Sequence, residues 1–309
     1  MNSNGVKHIL KAEQFTDTKE LEKLFKLADK LRTADEKGKI PQTLSGKIVA
    51  ALFFEPSTRT RLSFEAAAIK LGAGVIGTEN AQEALSSAKG ETLQDTIRIV
   101  NGYADAIVLR NSEKGAPQIA AEVSDVPIIN AGDGAGEHPT QALGDIYTIS
   151  KELGKVDGLK IALVGDLLYG RTVHSLLPLL GLYKNITAHL VSPPQLRMPE
   201  EYKKASGVEC KEYDSLNDVI SDVDVLYVTR VQKERFKSEA EYNKLKGSYV
   251  IDGQSLAKLK KDAIIMHPLP RVDEIAPEVD TDPRAAYFRQ AKNGLYLRMA
   301  LLQEILTSN

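Results

Sequence analysis

Ile48-Val49-Ala50-Ala51-Leu52-Phe53-Phe54 is a short apolar run, closed by Glu55-Pro56 and followed at once by Ser57-Thr58-Arg59-Thr60-Arg61. Apolar residues then recur at Leu62, Ala66 and Ile69, the i, i+4, i+7 spacing of a helix. A strand apolar on both faces that feeds directly into a helix is the building unit of a parallel α/β sheet. Pro56 sits where the helix begins, and Ser57 or Thr58 can cap it. The Ser57–Arg61 run therefore occupies a strand-to-helix turn at the carboxyl end of a parallel strand. There the free backbone N–H groups and the helix dipole favour an anion. Two hydroxyls and two guanidinium groups make this turn a phosphate cradle. The plainer reading is a capped helix with solvated arginines, but cations on a first turn oppose the dipole unless an anion offsets them.

The same alternation extends along the chain. Ile48–Phe54, Ala106–Leu109, Pro127–Asn130, Lys160–Val164, Ile186–Val191, Val223–Val228 and Ala263–Met266 read as strands. Between them Thr58–Leu71, Leu93–Asn101, Thr140–Leu153, Thr172–Leu180 and Arg284–Leu306 carry helical period. The fold class is α/β. The series also restarts. Ala131-Gly132-Asp133-Gly134-Ala135-Gly136 suits neither a helix nor a central strand, and a second strand set opens at Lys160. Two domains are expected, each a parallel sheet flanked by helices, joined by interdomain helices. Their expected bounds are 1–137 and 138–289, with a C-terminal helix at about 290–309 packing back on the first.

Composition agrees. A chain of 309 residues exceeds one ordinary core. A formal net charge of −2 argues against a general nucleic-acid binder, so attraction for an anion must come from local arginines and lysines. The single cysteine, Cys210, excludes an intramolecular disulfide and a multi-cysteine metal site, and it suits a reducing cytoplasm. No stretch reads as a secretion signal or a membrane span. No metal or other cofactor is expected, since no His/Cys/Glu cluster has metal-ligand spacing.

Further stretches carry chemistry. His138-Pro139-Thr140-Gln141 follows the glycine-rich stretch and opens a helix; His138 can donate to a carbonyl, and Gln141, three residues on, can point the same way. Taken alone, that histidine reads more readily as a capping or packing residue. Gly165-Asp166-Leu167-Leu168-Tyr169-Gly170-Arg171-Thr172 follows a strand and nearly spells a nucleotide P-loop. Arg171 stands where that loop requires Lys, and its rigid fork suits a planar carboxylate. Lys89 lies in a polar loop, and Lys233–Lys244 reads either as a mobile loop or as a solvated surface segment. In His267-Pro268-Leu269-Pro270-Arg271, two prolines fix an extended turn with a candidate cis bond.

Phe53–Glu65 resembles the carbamoyl-phosphate signature of the aspartate and ornithine carbamoyltransferases. The resemblance continues, in the family's order, through Lys89-Gly90-Glu91-Thr92, His138–Gln141, Gly170–Ser175, Thr229-Arg230-Val231-Gln232 and His267–Arg271. It implies carbamoyl transfer from carbamoyl phosphate to the amine of L-aspartate, giving N-carbamoyl-L-aspartate and phosphate, an early step of de novo pyrimidine biosynthesis. By resemblance, Ser57, Thr58, Arg59 and Lys89 meet the phosphate. Thr60, Arg110 and His138 hold the carbonyl oxygen, and Gln141 contacts the NH₂. Arg171 takes one carboxylate of aspartate, Arg230 with Gln232 the other, and the Leu269 carbonyl, next to Pro270, accepts from the substrate nitrogen. The family supplies its matching Lys, and a nearby Ser, from a neighbouring subunit, which implies a homotrimer with shared active sites and leaves room for a regulatory chain. The family's Ser falls on Leu85 here, with Ser86 or Ser87 as substitutes. Ornithine enzymes usually carry His-Cys-Leu-Pro where this chain has Pro268, and a Ser-Met-Gly loop that is absent here, so aspartate is favoured over ornithine. The remaining alternative, a phosphate- or nucleotide-binding module built on Gly165–Thr172, has Arg171 against it.

Overall fold

The computed structural model describes residues 6–79, 90–232, 238, 239, 242 and 245–307. Packing divides the chain into two compact units, Met1–Leu143 with Asn293–Asn309, and Gly144–Lys292. The division falls at 143/144, where the sequence suggests 137/138.

In the first unit, β1 (Ile48–Phe53), β2 (Gly74–Glu79), β3 (Ala106–Asn111) and β4 (Ile128–Asp133) form a parallel sheet in the order β2-β1-β3-β4. Helices α1 (Thr18–Glu36), α2 (Thr58–Lys70), α3 (Leu93–Asn101) and α4 (Ala116–Val123) belong to it, and α5 (Pro139–Leu153) begins in it. Ala50, Leu52, Ile107, Leu109 and Ile128 from the strands pack with Ile97 of α3 and Ala120 of α4. Each large aliphatic side chain buried this way contributes roughly 1.5–3 kcal/mol. β2 is missing from the sequence expectations because Gly74 and Gly77 dilute its apolar run. Gly77 is required where it stands: a Cβ there would lie 2.4 Å from the Ala51 carbonyl oxygen. β4 runs on through Ala131-Gly132-Asp133, correcting the view that the glycine-rich stretch ends the strand at Asn130. As an edge strand it tolerates glycine, and the Asn130 Oδ1 accepts from the Gly132 amide at 2.7 Å.

The helix α2 forms as its spacing predicts, but with a different face buried. Thr60, Phe64, Ala67 and Ala68 turn inward, while Leu62 and Ile69 are 54% and 61% exposed.

In the second unit, β5 (Lys160–Val164), β6 (Thr187–Val191), β7 (Glu209–Tyr213), β8 (Val225–Val228) and β9 (Ile264–Met266) form a parallel sheet in the order β7-β6-β5-β8-β9. Around it run α6 (Arg171–Leu180), α7 (Glu200–Ser206), α8 (Gly253–Lys258) and the start of α9 (Tyr287–Thr307). β7 reads Glu-Cys-Lys-Glu-Tyr and is largely exposed, so it lacks the apolar run of an interior strand. A buried polar knot ties this core together. Asp145 on α5 accepts from Tyr227 Oη and from Gln290 Nε2, both at 2.7 Å, and Gln290 Oε1 accepts from the His267 amide at 2.9 Å.

Two helices, α5 and α9, carry the chain from one unit to the other. The C-terminal part of α9 docks in the first unit, where Asn293 accepts from Arg32, Tyr296 donates to Asp35, and Arg298 lies over the Phe64 ring. Among the described residues no helix is long and apolar enough to cross a membrane.

The strand orders decide where ligands can bind. In the first sheet the chain order reverses between β1 and β3, and in the second between β5 and β8. At such a reversal the connections leave on opposite sides, opening a crevice at the carboxyl ends of the two strands.

Candidate active site

At the reversal of the first sheet, Ser57 is the N-cap of α2, yet its side chain makes no capping bond, so the helix does not consume the hydroxyl. Thr58 and Arg59 are exposed on the first turn, and Thr60 is buried. Arg61 is not part of this cradle: its Nε donates to Glu65 at 2.7 Å along the helix. The expected pair of guanidinium groups is thus reduced to Arg59, because an i, i+4 carboxylate holds the other.

Across the reversal stands Arg110, in register with Phe53. It is only 7% exposed and sits at the carboxyl end of β3. Its guanidinium pairs with Glu55 at 3.3 Å and donates to the Ala131 carbonyl at 3.3 Å. Glu55, not singled out in the sequence, therefore orients this arginine from the strand-to-helix turn itself. His138 is 4% exposed and precedes Pro139 at the start of α5, with its carbonyl accepting from the Gln141 and Ala142 amides. The turn before it is held by Asp133, whose carboxylate accepts from the Glu137 amide at 2.6 Å and the Gly115 amide at 2.8 Å. Ser57, Thr58, Arg59, Thr60, Arg110, His138 and Gln141 all belong to the first unit.

At the reversal of the second sheet, β5 leaves through Gly165 at φ +113°, where a Cβ would lie 2.2 Å from the Thr229 carbonyl oxygen. Only glycine lets the exits of β5 and β8 pass this closely. The loop between β5 and α6 then places Arg171 at the start of α6, and the loop after β8 carries Arg230 and Gln232. Hydrogen bonds tie the loops together: Gln232 Nε2 donates to the Tyr169 carbonyl at 2.9 Å, the Gln232 amide donates to Asp166 at 3.4 Å, and Thr229 Oγ1 donates to the Val164 carbonyl at the end of β5 at 3.0 Å, while Asp166 also accepts from the Tyr169 amide of its own loop at 2.9 Å. A shallow pocket lies beside Arg230, lined also by Gly165, Thr229, Tyr249, Asp273 and Glu274.

Asp166 is fully buried, and burial pushes its carboxyl up to about 6, against the opposing pull of the backbone donors and Arg230. Sequence reasoning missed it because its link between the loops depends on the Gln232 amide, 66 positions away. Its ordinary value is 3.8, so it binds a proton more tightly folded than unfolded, and its ionisation opposes folding increasingly between about 4 and 6. Above 6 it is an anion accepting from both loops; below, protonation weakens that clasp. The apparent affinity for the acceptor substrate should therefore fall as pH drops through about 6. Asp166→Asn should show weakened affinity throughout and lose this limb. A limb that survives unchanged in the variant assigns the titration to another group.

The turn after β9 is the third element of the second unit's set. The Leu269–Pro270 bond is cis, and Leu269 holds φ +56°. This left-handed backbone costs a non-glycine residue about 1–3 kcal/mol and persists only where its surroundings enforce it. Lys89, Leu85, Ser86 and Ser87 lie outside the described residues, as does most of Lys233–Lys244.

Two parallel sheets, each with arginines near its order reversal, define a two-domain α/β protein of the kind that binds ligands at the carboxyl ends of its strands. Residues 7–151 match the family model "Aspartate/ornithine carbamoyltransferase, carbamoyl-P binding domain", and residues 157–305 match "Aspartate/ornithine carbamoyltransferase, Asp/Orn binding domain". The chain belongs to the aspartate/ornithine carbamoyltransferase family. It is 52% identical to the aspartate carbamoyltransferase catalytic subunit of Archaeoglobus fulgidus, covering 94% of this chain and 96% of that one. Against the chloroplastic aspartate carbamoyltransferase of Arabidopsis thaliana it is 51% identical, over 96% of this chain and 77% of the relative. Among solved structures, aspartate transcarbamoylase from Trypanosoma cruzi in complex with carbamoyl phosphate and aspartate matches with a TM-score of 0.91 at 45% identity, covering 96% of each chain. The catalytic subunit of the M. jannaschii enzyme matches with 0.89 at 48%, covering 98% of this chain and 99% of that one.

Proposed function

We propose that this chain transfers the carbamoyl group of carbamoyl phosphate to the amino group of L-aspartate, giving N-carbamoyl-L-aspartate and phosphate. The observation that carries the reading is the division of the basic residues between two strand-order reversals. One set suits a phosphate on a helix N-terminus; the other offers two arginines to a diacid. In the first, Ser57, Thr58 and Arg59 bind the phosphate, while Thr60, Arg110 and His138 hold the carbonyl oxygen and Gln141 the NH₂. In the second, Arg171 binds one carboxylate, Arg230 and Gln232 the other, and the Leu269 carbonyl beside Pro270 accepts from the substrate nitrogen.

The lone pair of the uncharged amine forms a C–N bond to the carbamoyl carbon, and the carbonyl π pair moves onto oxygen. Thr60, Arg110 and His138 stabilise that oxyanion, an effect worth about 3–4 kcal/mol per donor. Collapse re-forms the carbonyl and breaks the C–O bond to phosphate, which leaves with the electron pair and accepts the amine proton. Arg59 and Lys89 offset its charge. Lys89 comes from a neighbouring copy, so the working unit is a homotrimer with shared sites. The apolar side chains of Leu62 and Ile69 on α2 and Ile76 on β2, each exposed on the single chain, support packing of this unit against another copy. The cytoplasm is the proposed compartment, resting on a sequence with a single cysteine; plant relatives carry the name chloroplastic. A regulatory chain is a further partner the family reading accommodates.

Phosphate release and ureido product measured with aspartate and with ornithine, side by side, test the reaction; equal or greater turnover with ornithine overturns the choice of acceptor. Arg230→Ala should raise the aspartate KM by about 10²-fold, the loss expected of a charge-assisted, bidentate contact, with KM for carbamoyl phosphate little changed. An unaltered aspartate KM removes Arg230 from the site.

A further inference from the structure

The turn that follows β9 contains a second, buried layer of chemistry. His267 is 1% exposed and Glu274 is 7% exposed, and neither belongs to the substrate-contacting set. The Leu269 amide donates to His267 Nδ1 at 2.8 Å, so that nitrogen must be unprotonated and the ring hydrogen sits on Nε2. Nε2 then donates to Glu274 Oε1 at 2.7 Å. The other oxygen of Glu274 accepts from the Val272 and Asp273 amides at 3.1 and 3.2 Å. Backbone N–H groups on both sides of Pro270 are thereby tied to one imidazole–carboxylate pair. The base of the pair is fixed in turn, since the His267 amide donates to Gln290, which donates to Asp145. Burial drives the His267 pKa down, outweighing the raising effect of Glu274, which keeps the imidazole in the neutral form this arrangement needs.

We infer that His267 and Glu274 act as positioning residues for the reaction: together they hold Leu269 at positive φ, so that its carbonyl is aimed at the substrate nitrogen. This rests on the reading of the Leu269 carbonyl given above. A carbonyl that must meet the attacking amine loses its effect when displaced, and an error near 1 Å costs on the order of 10²-fold in rate. Leu269 has a side chain that disfavours its backbone conformation, so the loop does not keep this geometry by local preference. The amide-to-imidazole bond supplies the constraint.

Two isosteric variants separate the halves of the pair. In His267→Asn the side-chain oxygen replaces Nδ1 and keeps the acceptor for the Leu269 amide, while the Glu274 contact is lost. In His267→Gln the amide nitrogen replaces Nε2 and keeps the Glu274 contact, while the acceptor for Leu269 is lost. The measurements are kcat and KM for both substrates, thermal melting, and hydrogen exchange of peptides spanning 266–275. His267→Gln should lower kcat by about 10- to 100-fold with carbamoyl-phosphate KM little changed and exchange across 266–275 accelerated. His267→Asn should retain kcat within about fivefold, because the bond that sets Leu269 remains. A kcat that falls equally in both variants in step with melting temperature would reduce the pair to a stability element and overturn the inference. Unchanged kinetics with accelerated exchange overturns it together with the Leu269 carbonyl reading. Unchanged kinetics with unchanged exchange overturns the bracing role alone. Should neither His267 variant fold, Glu274→Gln, which removes one acceptor of the Val272 and Asp273 amides but keeps the side-chain shape, must show the same accelerated exchange and a kcat fall; its absence is equally decisive.

Discussion

Arg59→Ala should leave the chain folded and reduce its turnover by about 10³-fold or more, the upper range for removing one group that meets charge developing in a transition state. The fold should tolerate the change because Arg59 is exposed on the first turn of α2, outside the buried face of Thr60, Phe64, Ala67 and Ala68. A cation at that position opposes the helix dipole, so truncation costs the helix little. The catalytic loss should be large because Arg61, the other guanidinium of the turn, is engaged by Glu65 and is poorly placed to substitute. Carbamoyl-aspartate formation measured beside a thermal melt checks both halves. Near-normal turnover would remove the phosphate from the helix N-terminus.

The second large effect concerns stability. Asp145→Ala should destabilise the Gly144–Lys292 unit by about 3–5 kcal/mol, because it strands the buried Tyr227 hydroxyl and the Gln290 amide together. Burial pushes the Tyr227 phenol well above its ordinary value, so that hydroxyl stays a donor and cannot shed its proton to escape. For a unit of this size the melting temperature should drop by roughly 10 °C. A change under about 1 kcal/mol would show that the knot contributes little. Because Gln290 also receives the His267 amide, the same variant should loosen the 267–271 turn.

How much of this was legible in the sequence varies with how local each feature is. The β1–α2 unit was readable because an apolar strand, a proline and a hydroxyl cap lie consecutively. The first-turn residues Ser57–Thr60 follow from the same stretch. Which side of α2 is buried was not readable: Leu62, Ala66 and Ile69 share the right period, yet the sheet packs against Phe64, Ala67 and Ala68. Strands β2 and β7 escaped notice as edges, one diluted by glycine and one rich in charge. Glu55, Asp166 and Glu274 escaped for another reason. The first two matter through partners reached only when strands align: Arg110 lies 55 positions after Glu55, and Gln232 lies 66 after Asp166; Glu274 matters through the folding of its own turn back onto His267. No period or spacing encodes such a contact. Arg110, Arg230 and Leu269 were named by resemblance, which transfers the outcome of folding without its cause.

The two reversals of strand order also bear on how such a chain changes over time. Each lies in its own sheet, with its own orienting carboxylate and its own set of loops. On the proposed reading, substitutions at 166–171, 229–232 and 267–271 can remodel the nucleophile's pocket while the hydrogen bonds of Glu55, Arg110 and Asp133 stay as they are. The leaving-group chemistry is thereby insulated from experiments with new acceptors. A lineage built on this plan can explore different amines one loop at a time without rediscovering how to activate the carbamoyl donor.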